Sequence, residues 1–157
     1  LNVGFGHKRA KKGEIAMYMN DWKDSGLEGM KSDFGIDDTA LDGVTVLLAS
    51  YGAENYEGSA FVLFERNGKL YEVNGSHCSC FGLSEQNYSG ESDTQWQPEE
   101  TTVESMRHRL DEGSLGKDSY CGNEYADELR TVLDALGPNV KVSGPEGGLP
   151  PKGRARP

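Results

Sequence analysis

The chain has 157 residues, 35% of them hydrophobic, with 21 glycines and 6 prolines, which fits one domain accompanied by loop or tail. Its formal net charge is −10; setting aside seven basic and two acidic residues at the two ends leaves 9 basic against 24 acidic residues over 17–142, a net of −15. That balance disfavours direct binding to nucleic acid or to an anionic membrane, and favours a basic partner or plain solubility.

No apolar run approaches the roughly 20 residues that span a bilayer. No secretory signal pattern is present. Three cysteines are an odd count and give no disulfide framework. A reduced, cytoplasmic protein is the expectation.

Residues 1–16 (LNVGFGHKRAKKGEIA) have no periodicity and several helix breakers. They are expected to lie outside the fold, either as leader translated ahead of a true start at Met17 or Met19, or as a disordered tail. Ser25 and Glu28 are spaced as a capping box, and Leu27, Met30 and Phe34 follow at helical spacing before Gly35. This predicts a short helix from Gly26 to Phe34, with one further turn around Asp37–Leu41 ended by Gly43. Val44–Tyr51 (VTVLLASY) reads as a central strand, apolar on both faces up to Ser50.

The clearest signal lies in Gly58–Leu83. Asn67-Gly68 suits a type I′ turn between two strands, because both positions need positive φ. The turn sets Arg66 opposite Lys69, Phe64 opposite Tyr71 and Val62 opposite Val73. One face then carries Ala60, Val62, Phe64, Tyr71 and Val73 and must be core; the other carries Phe61, Leu63, Glu65, Leu70 and Glu72 and is mixed. A short fourth strand is expected around Cys78–Leu83.

Ser84–Gln95 reads as a polar exposed loop, with Trp96 as the anchor that returns the chain to the core. Thr101 and Glu104 form a second capping-box spacing ahead of Val103, Met106 and Leu110, with Gly113 as the stop. Asn123 is a candidate N-cap for a third helix whose stripe is Ala126, Leu129, Leu133 and Leu136, stopped by Gly137-Pro138. Residues 143–157 are Gly- and Pro-rich and are expected to be disordered. The expected architecture is α+β: a single domain over 17–142, with a three-stranded antiparallel meander and about three helices covering its apolar face.

YEGSAFVLFERNGKLYEVNGSHCSCFGL followed by QWQPEETTVESMRHRL resembles small proteins of unknown function encoded by bacteriophages and prophages. The similarity runs from about Asp21 to Leu136. Those proteins pass more directly from the Cys-containing turn to the Trp-x-Pro-Glu-Glu-Thr segment, whereas this chain has the longer loop 84–95. The resemblance implies an accessory phage gene and brings no catalytic residue with it.

His77, Cys78 and Cys80 are the one local cluster of reactive residue types, and Cys121 could join them as a fourth zinc ligand. Against this, Cys-x-Cys with an adjacent His-Cys is not the usual zinc spacing. A nucleophilic Cys78 or Cys80 would need a base, with His77 adjacent in sequence and His108 on a helix as the choices. The third reading is a packed turn, with the cysteines as small buried hydrophobes. No phosphate-binding loop, nucleophile elbow or basic aromatic sheet is present. The functional expectation is a phage accessory protein that binds a host protein, itself basic or nucleic-acid-binding, without catalysis; a zinc- or thiol-site protein and an acidic nucleic-acid mimic are the alternatives.

A chain covering 17–142 should unfold within about 2–3 °C of the full-length protein, the scale of less than ~1 kcal/mol at this size. Loss of cooperative unfolding on calorimetry would instead show a docked end, with Val140 and Val142 as the first suspects for an added edge strand.

Overall fold

Asn67 and Gly68 take φ values of 55° and 79°, so the turn forms as its chemistry dictates. It joins β3 (Gly58–Arg66) to β4 (Lys69–His77) in the expected register, Arg66 opposite Lys69 through Val62 opposite Val73. In this computed structural model, residues 16–79, 81–86 and 92–137 are described. The expectations for residues 1–15 and for 138–157 lie outside them, as does Cys80.

The remaining elements are β1 (Met17–Asn20), α1 (Gly26–Phe34), β2 (Thr45–Gly52), β5 (Ser84–Gln86), β6 (Ser92–Thr94), β7 (Glu99–Thr101), α2 (Val103–Glu112), β8 (Lys117–Asp118), β9 (Asn123–Glu124) and α3 (Ala126–Leu136). The fold is α+β. The expected meander β2-β3-β4 is present, but it is the middle of a five-stranded mixed sheet, ordered β1-β2-β3-β4-β7. β1 pairs in parallel with β2, Met17 opposite Leu48 through Asn20 opposite Tyr51. β7 adds the other edge, with Leu70 opposite Thr101. Among the described residues, the expected fourth strand around Cys78–Leu83 does not join the five-stranded sheet; Cys78 and Phe81 form an isolated bridge. The loop 84–95 contains the short hairpin β5-β6.

Both faces of the meander are buried. On one, Ala60, Val62, Phe64 and Val73 pack with Trp22, Met30 and Phe34 of the α1 region and with Leu83. Trp96 anchors the returning loop there, stacked on Phe64 at 5.7 Å and edge-on to Phe34 at 5.2 Å. On the other, Leu47, Phe61, Leu63 and Leu70 pack with Met106 and Leu110 of α2 and with Leu129, Val132 and Leu133 of α3. The helices are thus divided between the faces rather than gathered on one. The reason is visible in β3: with Phe61 and Leu63 pointing opposite to Val62 and Phe64, one layer of helix cannot keep both sets from water.

Three caps differ from their sequence reading. Ser25 is helical (φ −82°, ψ −22°) and its side chain makes no capping bond. The N-cap of α2 is Thr102, whose hydroxyl accepts from the Ser105 amide, because Thr101 is held in β7. Asn123 lies in β9, and Tyr125 precedes the first turn of α3. Among the described residues no helix is long and apolar enough to cross a membrane.

Glu72 is the one carboxylate buried among the described residues. It faces the side covered by α2 and α3, where Arg109 of α2 grips it with two hydrogen bonds, Nη1 to Oε1 at 3.0 Å and Nη2 to Oε2 at 2.5 Å. Asn74 donates to Oε1 as well, at 2.9 Å. Burial alone would push the Glu72 carboxyl up; the bonds from Arg109, Asn74 and Thr101 outweigh it and hold the group below the ordinary carboxylate range.

Arg109→Met should therefore destabilise the fold by about 2–4 kcal/mol, somewhat less than a fully enclosed pair would, since Arg109 keeps 30% of its side chain exposed. Glu72→Leu with Arg109→Met should recover most of that loss in urea unfolding. Because the folded pKa of Glu72 is depressed, the pair's contribution is complete above the unfolded value of about 4.3 and is lost as pH falls through the lower folded value.

Candidate functional site

One end of the sheet, where β2 finishes and β3 begins, gathers the chemistry-bearing side chains. His77 is the last residue of β4 and sits opposite Gly58, its ring occupying the space where a Cβ at position 58 would be. Nδ1 of His77 is hydrogen-bonded to the Tyr51 hydroxyl at 2.9 Å. Tyr51 in turn packs on Trp22, with ring centroids 5.1 Å apart. Its hydroxyl is pushed up to about 12, by burial first and then by Asp33 and Asp21, so it stays protonated at neutral pH.

Cys121 lies at the same end. Its carbonyl accepts from the Glu54 amide at 3.1 Å, and the 121–123 backbone runs so close to β2 that any Cβ at Gly52 would meet it at 2.5 Å. The thiol is buried and is pushed up to about 11, by burial first and then by its hydrogen bond to Asp118. A zinc ligand or a nucleophile needs the thiolate, and this environment favours the thiol.

Cys78 opens the turn after β4, where its amide donates to the Phe81 carbonyl at 3.1 Å. Gln95 clamps that turn: Nε2 donates to the carbonyls of Ser76 at 2.7 Å and Gly82 at 3.0 Å, and Oε1 accepts from the Ser76 amide at 2.9 Å. Cys80, the remaining candidate ligand, lies outside the described residues. His108 is on the exposed side of α2, with Nε2 on Glu112 of its own helix at 2.9 Å. Among the described residues no three His, Cys, Asp or Glu side chains come together in a way that could hold a metal ion. His77 and Cys121 share the same end of the sheet; His108 belongs to the helix layer on one of its faces.

The same end contains a polar relay that local sequence patterns did not reveal. Asn20 Nδ2 donates to Ser50 Oγ at 2.7 Å, and Ser50 Oγ donates to Asn123 Oδ1. Asn123 Nδ2 donates to Ser59 Oγ at 3.1 Å, and Ser59 Oγ donates to Asp118 Oδ2 at 2.7 Å. Each donor points toward the next acceptor and the chain ends on a carboxylate, the arrangement in which hydrogen bonds polarise one another. The hydrogen bond from Ser59 holds Asp118 below the usual carboxylate range; it outweighs the opposing effect of burial, and the Cys121 amide adds a lesser contribution. Ser50 and Asn123 are both buried, and the relay leaves them satisfied. Ser50 was the available signal: a polar residue in an apolar strand.

The relay borders a recess of about 210 Å³, also lined by Asn74, Leu115 and Tyr125. That volume suits a few waters rather than a substrate, since ligand pockets usually span ~300–1,000 Å³. Tyr56, Tyr120 and Phe81 are among the exposed large hydrophobic residues of the described chain. Comparison with protein-family models, with curated proteins and with solved structures finds no match.

At pH 7.5 the native protein should be alkylated at Cys121 at least about 100-fold more slowly than an ordinary exposed thiol, since a pKa about 11 leaves little thiolate and burial adds further protection. Peptide-level mass spectrometry after timed iodoacetamide labelling reads this, and unfolding in urea should restore the ordinary rate. Full-rate labelling of the native chain would show that the thiol is neither buried nor protonated.

Proposed function

We propose that this chain is an acidic bacteriophage or prophage accessory protein that acts in the host cytoplasm by binding a basic host protein, rather than by catalysis. The observation that carries the reading is where the charge sits. Of the described carboxylates only Glu72 is buried, and it is neutralised by Arg109. The others reach the surface, and the ion pairs that engage some of them, such as Arg107 with Asp134 and Arg130 with Asp111, join side chains that are well exposed. Exposed pairs of this kind are weak and leave the long-range field largely intact. A surface with net charge near −15 over 17–142 accelerates encounters with basic proteins and repels nucleic acid. The resemblance of the Tyr56–Leu110 stretch to phage and prophage proteins supports the setting.

Immobilised protein should retain one or a few basic proteins from host lysate at about 0.15 M salt, above a control protein of equal size and net charge, and release them as salt approaches about 1 M. Retention no better than the control would remove the support for this reading. Release of a retained protein by duplex DNA would assign nucleic-acid mimicry as the mode of binding.

A further inference from the structure

The loop from Ala53 to Glu57 joins β2 to β3 and contains two consecutive non-glycine residues in the left-handed region, Asn55 at φ 59° and Tyr56 at φ 64°. Asn tolerates that region; for a bulky residue such as Tyr it is an outlier. Tyr56 is 85% exposed, so its burial offers little to offset the strain. The loop is nevertheless held firmly. Asn55 Nδ2 donates to the Tyr120 carbonyl at 2.7 Å, the Glu54 amide donates to the Cys121 carbonyl and the Glu57 amide to the Glu54 carbonyl, each at 3.1 Å, and the Glu54 carboxylate rests against Gly122. The Asn55 and Glu54 bonds fix the loop to the segment carrying Tyr120, a residue 58% exposed. Segments 51–59 and 117–124 carry Glu54, Glu57, Asp118 and Glu124 against Lys117 alone.

We propose that Tyr56 and Tyr120, framed by Glu54 and Glu57, form the docking surface for an arginine-bearing segment of the basic protein partner. This assignment rests on the acidic-binder reading above. Aromatic rings held rigidly on the surface give contact area at low entropic cost, which is why Tyr recurs at binding hot spots. The charge around them selects what they contact. A guanidinium stacks on a Tyr face and forks to a carboxylate in the same pose, whereas an ammonium does only the second well. The occupant is therefore a peptide segment presenting arginine.

The test measures fluorescence anisotropy of labelled nona-arginine and nona-lysine peptides at about 0.15 M salt, where long-range charge effects are mostly screened. The wild-type protein should bind nona-arginine more tightly than nona-lysine. Tyr56→Gly, which accepts positive φ without strain, should weaken nona-arginine binding at least about fivefold while melting at or above the wild-type temperature. Glu54→Gln with Glu57→Gln should weaken it similarly. Glu104→Gln with Glu112→Gln removes the same charge from α2 and should change it less than about twofold. Equal binding by wild type and folded Tyr56→Gly, or equal loss from the two carboxylate pairs, overturns the docking surface and leaves the acidic-binder reading standing. If the wild-type chain binds neither peptide nor any basic host protein at this salt, both fall together.

Discussion

β3 cannot face water on either side, and the rest of the molecule answers that constraint. Its five consecutive buried residues, Ala60 to Phe64, alternate between the two faces of the sheet. Each face then requires its own cover. α1, Trp22 and the returning Trp96 supply one; α2 and α3 supply the other. Neighbouring strands inherit the requirement. β2 is apolar on both sides with a register shift between Val46 and Leu48, and β4 brings Glu72 under α2, where only a matched cation makes burial tolerable. Arg109 is that cation, and its position on α2 ties the helix rotation to the sheet.

The polar relay serves the end of the sheet in a comparable way. Ser50 is buried on β2, where an unpaired hydroxyl would cost about 1–3 kcal/mol. Asn20 and Asn123 reach it from β1 and β9, elements far apart in sequence. A group that would otherwise destabilise β2 thus becomes the point at which the parallel edge strand and the β8-β9 hairpin are aligned. The exposed Tyr56 loop is built on this framework, through the Glu54 and Asn55 bonds to the 120–121 backbone.

What the sequence made legible follows from the range of the interactions involved. The Asn67-Gly68 hairpin, its register and the stripe of α3 depend on neighbours within a few residues, so local chemistry specifies them. β1 and β7 have four and three residues, too short to show a period, and owe their extended form to pairing with β2 and β4. The capping bond of α2 moved one position because β7 claimed Thr101. The division of the helices between two faces was implicit in Phe61, Leu63 and Leu70, but Glu65 and Glu72 on the same face argued for solvent; the pairing with Arg109 from a distant helix is what lets Glu72 be buried there. At the candidate site, residue type alone drew His77, Cys78, Cys80 and Cys121 together. The relay went unseen because its members run from Asn20 to Asn123 and no spacing rule connects them.

The parallel pairing of β1 has a kinetic consequence. β2, β3 and β4 follow one another through short connections, so their contacts close small loops and form at little entropic cost. β1 can complete its own end only when Asn20 meets Asn123, 103 residues away. That contact requires the meander, the two covering helices and the β8-β9 hairpin to be assembled already. Contacts of such long separation in sequence carry the larger loop-closure cost, so the Asn20 end of β1 is expected to close after the meander has formed. Opening of β1 would take the Asn20 donor from Ser50 and expose the backbone edge of β2 that β1 pairs with.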